Sequence, residues 1–282
     1  TVMRMTATAI LFPGQGSQTP EMRDTVAEQR PDLLERVELL LGTDPFARVD
    51  EGTHFAQPAI FCASLAGWEA IGHPVGDYMA GHSLGELAAL VAADVLDEQD
   101  GLELVALRGR LMHEAGEREG GGGMLALLGN GAAEQAGALA QAHGLAVAND
   151  NSPQQVVLSG AGSVIPAAAE AAEELGIRAR QLDVTGAFHS PMMASAVPEF
   201  RAALDRVKVG SPTVPVLSAV TAEPFDDVRA RLAEALTNPV RWRETVLALH
   251  GLGVDEFVEV GPGKVLTGLV KRTLRGVEVP RA

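Results

Sequence analysis

The sequence contains a single cysteine, Cys62, so no disulfide can form within the chain. No cluster of cysteine and histidine stands at metal-ligand spacing, and no metal centre is expected. Cys62, inside "QPAIFCASLAGW", reads as a small buried apolar residue. Basic residues are also scarce: 22 Lys and Arg face 37 Asp and Glu, for a formal net charge of −15. Nucleic acids and anionic membrane surfaces need a basic footprint, so neither is expected as a partner. Long hydrophobic runs are missing as well. "TATAIL" and "ELAALVAADVL" fall far short of a bilayer span, and no basic-then-apolar leader pattern opens the chain. The expectation is a cytoplasmic protein. Thr1, where an initiator methionine would stand, hints at either a processed or an expression-derived start and takes no part in the fold reasoning.

Apolar residues, by contrast, make up 46% of the 282 positions. That is enough to bury one large core, or a main core with a smaller satellite domain. Over the first hundred residues, strand and helix patterns alternate: "TATAILF" ends in the turn "PGQGS", "DYMAG" reads as a short strand, and "LGELAALVAADVL" reads as a helix. Alternation of this kind predicts an α/β layered core. "LVALRGRLMHEAG" continues as helix and runs into four glycines, Gly120 to Gly123, a linker signal.

Beyond the glycines the pattern changes. "MLALLG" reads as strand, "AAEQAGALAQAHG" as helix, "LAVANDN" and "QQVVLSG" as strands about a turn, "VIPAAAEAAEELG" as helix and "ARQLDV" as strand. This βαββαβ string predicts a small ferredoxin-like insertion over residues 123–187, set into a large domain formed by 1–122 and 188–282. "TVPVLSAV", helices around "VRARLAEALT" and "VRWRETVLALHGLG", the strand "EFVEVG" and a terminal helix complete the large domain. The charge is uneven along it. Arg241, Arg243, Lys264, Lys271, Arg272, Arg275 and Arg281 make the last stretch locally basic, either a docking face for an acidic protein or a set of solvated helix ends.

"GHSLG" fits G-x-S-x-G, in which a sharp strand-to-helix turn exposes the serine oxygen at a helix N-terminus, where backbone N–H groups favour developing negative charge. Ser83 is therefore a candidate nucleophile, with a plain turn serine as the alternative. A serine needs a base. His82 adjoins Ser83 and should leave a tight turn in another direction, while His54, His73, His113, His143 and His250 fall in loops or on helices that suit surface or packing roles. His189, in "DVTGAFHSPMM", follows a predicted strand where the insertion rejoins the large domain, so it faces a cleft; the alternative is a hydrogen-bonded loop histidine. Asp183 is the nearest carboxylate, but a backbone carbonyl could orient the ring equally well. "FPGQGSQ" lacks the spacing of a nucleotide loop and is better suited to bring a backbone N–H beside the serine. Arg108, among leucines on the next helix, is either an anion-binding fork or an arginine snorkelling to the surface.

Together, "LFPGQGSQ", "FAQPAIF", "GHSLGELAAL", "LVALRGRLM", "NDNSPQQVVLSG", "GAFHSPMM", "NPVRW" and "VEVGPGKVLTGL" resemble, in this order, the malonyl-CoA:acyl carrier protein transacylases and the related acyltransferase domains of polyketide synthases. The resemblance runs from Ile10 to Leu269. It implies an α/β-hydrolase-like core with a parallel sheet and an inserted ferredoxin-like subdomain. By position it makes Ser83 the acylated nucleophile, His189 the base, the backbone N–H groups of Gln15 and Leu84 the oxyanion hole, and Arg108 the partner of the malonyl carboxylate. The histidine is oriented by a main-chain carbonyl in such proteins; the matching position, often glutamine, is Ala235 here. Phe188 resembles the bulky residue of members that select malonyl over methylmalonyl.

The activity so implied is ping-pong transfer of malonyl from malonyl-CoA, through a malonyl-serine, to the phosphopantetheine thiol of an acyl carrier protein in fatty acid or polyketide biosynthesis. The expectation is a monomer that needs no metal or redox cofactor. The alternatives are an acyl hydrolase of the same fold, a stand-alone polyketide synthase acyltransferase using another extender unit, and a catalytically silent scaffold.

Overall fold

The computed structural model describes residues 7–118 and 120–277. Thr1 and Arg281, singled out above, lie outside these. The elements begin β1 (Ala7–Phe12), α1 (Met22–Gln29), α2 (Pro31–Leu41), α3 (Thr53–Ala70), β2 (Tyr78–Gly81), α4 (Gly85–Ala92) and α5 (Glu98–Arg118). They continue with β3 (Gly122–Leu128), α6 (Ala132–His143), β4 (Ala146–Ser152), β5 (Gln155–Ala161), α7 (Ile165–Glu174) and β6 (Arg178–Gln181). The chain then forms α8 (Val197–Leu204), β7 (Val216–Ser218), β8 (Glu223–Pro224), α9 (Val228–Glu234), α10 (Trp242–Gly251), β9 (Val254–Glu259) and α11 (Val265–Thr273).

One sheet has the order β8-β7-β2-β1-β9, with β7, β2, β1 and β9 mutually parallel and β8 antiparallel at one edge. Its interior strand β1, between β2 and β9, is apolar from Ala9 to Phe12 because helices cover both faces. Side chains alternate across a strand, so Ile10 and Phe12 face one set of helices while Ala9 and Leu11 face α10 and α11 through Trp242, Val246, Leu249, Leu266 and Leu269. The second sheet, β4-β5-β3-β6, is antiparallel throughout. Leu125 and Leu127 of β3 point to α6 and α7, and Met124 and Ala126 point to the main core. Period-two patterning thus gives the small sheet one private face and one face turned to the rest of the molecule.

Three boundaries differ from the sequence expectation. Gly122 and Gly123 are not linker but the first residues of β3, because an added Cβ on Gly122 would meet the backbone of Ala187 and only glycine lets the two chains pass. The helix after the serine stops at Ala92, with Asp94 in the left-handed region at φ 61°. The strand expected to lead into His189 ends at Gln181, and Leu182 to Phe188 form a loop instead. Its last contact with the sheet is the Leu182 N–H donating to the Met124 carbonyl at 2.9 Å. Among the described residues no helix is long and apolar enough to cross a membrane.

Candidate active site

In an open parallel sheet, ligands gather at the carboxyl ends of the strands. Here Phe12 pairs with Gly81 and Leu11 with Glu259, so β1, β2 and β9 end at the same edge. The turn "PGQGS", the serine turn and the segment after β9 therefore leave the sheet side by side.

Ser83 adopts φ 54°, a left-handed conformation that a non-glycine residue holds at a cost of roughly 1–3 kcal/mol. The flanking glycines make the turn possible. A Cβ on Gly81 would run into the Gly85 and Glu86 backbone, and one on Gly85 into the carbonyls of Phe12 and Pro13. The same tight packing holds the "PGQGS" turn against the serine, since a Cβ on Gly14 would lie 2.6 Å from the His82 carbonyl oxygen. Among the described residues, neither the Gln15 N–H nor the Leu84 N–H meets an acceptor, and both residues line the cleft.

His189 also lies in the left-handed region, at φ 57°. Its Nε2 stands 2.8 Å from Ser83 Oγ, and its Nδ1 donates to the Ala235 carbonyl at 2.7 Å. Ala235 follows the last turn of α9, where carbonyls lack helical partners, so its oxygen is free to accept. That bond fixes the tautomer: Nδ1 carries the proton and Nε2 accepts from the serine hydroxyl. Burial, then the nearby Arg108 cation, push His189 down to about 3, against the opposing pull of the Ala235 carbonyl. The ring is neutral at pH 7. Asp183 is exposed and makes no hydrogen bond to it.

Arg108 is not at the surface. It is 3% exposed and donates to Gln57 Oε1 at 2.6 Å and to Ser83 Oγ at 3.1 Å. Burial lowers it to about 10, opposed by the charge of Glu86, so it remains a cation at pH 7. Among the described residues no carboxylate forms an ion pair with it. A buried guanidinium with donors left unpaired among the described residues, beside a serine on a strained turn, is suited to receive an anion.

The cleft between the two sheets measures about 510 Å³, and Phe188 and Gln155 belong to its walls. Its far side is fixed to the main body along β4. Val240 N–H donates to the Ala148 carbonyl at 2.8 Å, Arg243 pairs with Asp150 at 2.7 Å, and His82 Nε2 meets Asn151 Oδ1 at 2.8 Å. His82 thus turns away from Ser83 Oγ. Among the described residues no group of three or more His, Cys, Asp or Glu is placed to hold a metal ion. Arg241 and Arg243 are engaged by Glu244 and Asp150, while Lys271, Arg272 and Arg275 are exposed.

Three buried polar residues near the site escaped the sequence reading. Gln57 and Thr53 sit on α3, whose other residues from Phe55 to Ala63 are apolar and buried; two polar residues four apart on such a helix were the available signal. Glu86 is 1% exposed, accepts from the Ala219 N–H at 2.7 Å, and burial raises it to about 7.

The family model described as acyl transferase domain matches residues 36–282. The chain belongs to the acyl transferase family. Within that family it is similar to the malonyl CoA-acyl carrier protein transacylase of Bacillus subtilis, 38% identical over 96% of this chain and 92% of that protein. It is also 39% identical, over 94% of its length, to polyketide biosynthesis protein ThaF of Burkholderia thailandensis, of which it spans only 24%. Among solved structures, malonyl CoA-acyl carrier protein transacylase from Burkholderia pseudomallei superposes with TM-score 0.89 at 35% identity, over 97% of this chain and all of that one. A type II polyketide synthase acyl-carrier protein in complex with its malonyl-transacylase is similar at TM-score 0.85 and 35% identity, over 96% of this chain and 94% of that one.

Proposed function

We propose that this acyl transferase moves malonyl from malonyl-CoA to the phosphopantetheine thiol of an acyl carrier protein. The observation that carries the reading is the guanidinium of Arg108 at 3.1 Å from the same serine oxygen that meets His189 at 2.8 Å. One group activates the oxygen and the other selects an acyl group bearing a carboxylate.

In the first half-reaction Ser83 Oγ attacks the thioester carbonyl carbon and its proton passes to His189 Nε2. The Gln15 and Leu84 N–H groups, both without an acceptor among the described residues, receive the developing oxyanion. As the carbon–sulfur bond breaks, the proton moves from His189 to the coenzyme A sulfur, leaving malonyl esterified to Ser83. In the second half-reaction the carrier thiol gives its proton to His189 and attacks the ester, and Ser83 Oγ takes the proton back. The Ala235 carbonyl holds the ring throughout and stabilises the imidazolium as it forms. Phe188 crowds an α-substituent and favours malonyl over methylmalonyl.

The fold reading that accompanies this chemistry is an α/β-hydrolase-like core, 1–122 with 188–282, carrying a ferredoxin-like insertion at 123–187. The strand order β4-β5-β3-β6 with two helices on one face supports the second part. The protein acts as a monomer and needs neither metal nor redox cofactor. The exposed Lys271 and Arg272, on the helix that lines the cleft with Leu266 and Leu269, meet the acidic carrier. A panel of acyl-CoAs incubated with enzyme and phosphopantetheinylated carrier protein, read by intact mass, tests the reaction. Malonyl carrier is the expected product, and free malonate with unmodified carrier would overturn the reading in favour of a hydrolase.

A further inference from the structure

A row of four polar side chains runs from the arginine to the turn that carries Gln15. Arg108 Nη1 donates to Gln57 Oε1 at 2.6 Å, Gln57 Nε2 donates to Thr53 Oγ1 at 2.9 Å, and Thr53 Oγ1 donates to Gln15 Oε1 at 2.8 Å. The direction of the chain is forced. A guanidinium only donates, so Gln57 must present its oxygen to Arg108 and its NH2 to Thr53. Thr53 Oγ1 then accepts, and its single proton is left for Gln15. Gln57 and Thr53 are 1% and 4% exposed, so no bulk water replaces these partners. Bonds that run head to tail from a cation polarise one another and strengthen the row.

The far end of the row matters because of what holds Gln15. Gly14 before it is pressed against the His82 carbonyl, and Gly16 after it is left-handed at φ 101°. Ser17 closes this turn by donating from Oγ and N–H to the Gly14 carbonyl at 2.8 and 3.3 Å, and the side-chain bond from Thr53 ties Gln15 to α3. The helix itself is held at this level: a Cβ on Gly109 of α5 would lie 3.0 Å from the Thr53 carbonyl, so α3 and α5 touch backbone to backbone. Thr53 and Gln57 on α3 and Arg108 on α5 therefore form one hydrogen-bonded row whose far end is Gln15.

We propose that Thr53 is a positioning residue that couples the carboxylate-binding arginine to the Gln15 peptide, so that recognition of a dicarboxylic acyl group is expressed in the rate of acylation and not only in binding. This rests on the roles given above to Arg108 and Gln15. An acyl carboxylate on the free edge of Arg108 fixes the guanidinium, the row of donors fixes Gln15, and the N–H of Gln15 is held where the oxyanion forms. An acyl group without the carboxylate leaves the row in place but its head unanchored.

The test is single-turnover acylation of the enzyme by malonyl-CoA and by acetyl-CoA, followed by rapid-quench intact mass. Thr53→Val keeps the shape and cuts the row. It is expected to lower the maximal malonylation rate about tenfold, the size of one lost transition-state hydrogen bond, with half-saturation changed less than twofold. The acetylation rate should fall less, so the malonyl-to-acetyl ratio drops. Thr53→Ser, which keeps the hydroxyl, restores both. Gln15→Met cuts the same bond from the other side while leaving the backbone N–H, and should reproduce the loss; it decides the matter if Thr53→Val fails to fold. An unchanged malonylation rate in either folded variant, a loss confined to half-saturation, or equal losses for both acyl groups would overturn the proposal. Failure of the wild-type enzyme to take malonyl at all would instead overturn the function it rests on.

Discussion

Replacing Arg108 with alanine separates acyl selection from acyl transfer. The guanidinium is buried, keeps its charge at pH 7, and has no carboxylate ion-pair partner among the described residues. A hydrogen bond to a charged group in such a place contributes about 1.5–3 kcal/mol. At 1.36 kcal/mol per tenfold change, losing it should lower the malonyl-to-acetyl ratio of kcat/KM by roughly 10- to 150-fold. The fold should tolerate the change. Gln57 Oε1 loses its donor, at a cost of about 1–3 kcal/mol, while the removal of an unpaired buried charge works in the opposite direction. A melting curve is expected to move by only a few degrees. Arg108→Lys keeps the charge but not the planar fork, so its ratio should fall between the two. The assay is competition between malonyl-CoA and acetyl-CoA, read as the two acyl-enzyme masses. If the ratio stays at the wild-type value, or if both rates fall equally in a folded protein, the assignment of Arg108 to the acyl carboxylate is refuted.

The depressed His189 sets the pH behaviour. Because burial and Arg108 bring it to about 3, His189 should add no step to the acylation rate between pH 8 and 5; Glu86, raised to about 7, titrates in that window, so the profile is read in Glu86→Gln, where a step near the ordinary histidine value would contradict the buried, neutral base. Its folded value lies below the unfolded one, so the unfolded chain binds the extra proton; this contribution to stability is complete above about 6.5 and is lost as pH falls toward about 3, which thermal melts across that window should follow. Phe188→Ala should raise the rate with methylmalonyl-CoA relative to malonyl-CoA, and an unchanged ratio would remove Phe188 from acyl selection. Charge reversal at Lys271 and Arg272 should raise the KM for carrier protein and leave acylation by malonyl-CoA as it was; an unchanged KM would move the docking face elsewhere.

Strands β1 and β2 were legible because each is an apolar run bounded by a turn, and β9 from the aromatic and β-branched residues of "EFVEVG" before a glycine; the turns after β1 and β2 carry the glycines that bring Gln15 and Ser83 together. The elbow could be read from "GHSLG" since its steric demand is local: Gly81 and Gly85 have no room for a Cβ. His189 was legible only as a position beside a cleft. Its approach to Ser83, 106 residues away in sequence, depends on how the chain between them packs, and spacing along the chain does not encode that. The surface fate open to Arg108 was excluded by three-dimensional burial, which leucines on its own helix only hint at. Gln57 and Thr53 were missed because their significance lies in each other: neither side chain is informative until the row from Arg108 to Gln15 is seen whole. The early end of β6 had no sequence signal, since "LDV" is as apolar as a strand needs, and it is the missing partners beyond Leu182 that stop it.

The central claim is that Ser83 carries the malonyl group between two thiols. Enzyme mixed with malonyl-CoA, quenched, digested and mapped by mass spectrometry should show one malonyl group, on the peptide containing Ser83 and absent from Ser83→Ala. Addition of phosphopantetheinylated carrier protein before the quench should clear it, with malonyl carrier appearing in equal amount. Malonyl found on another residue, or lost to water at the same rate whether or not the carrier is present, would contradict the account.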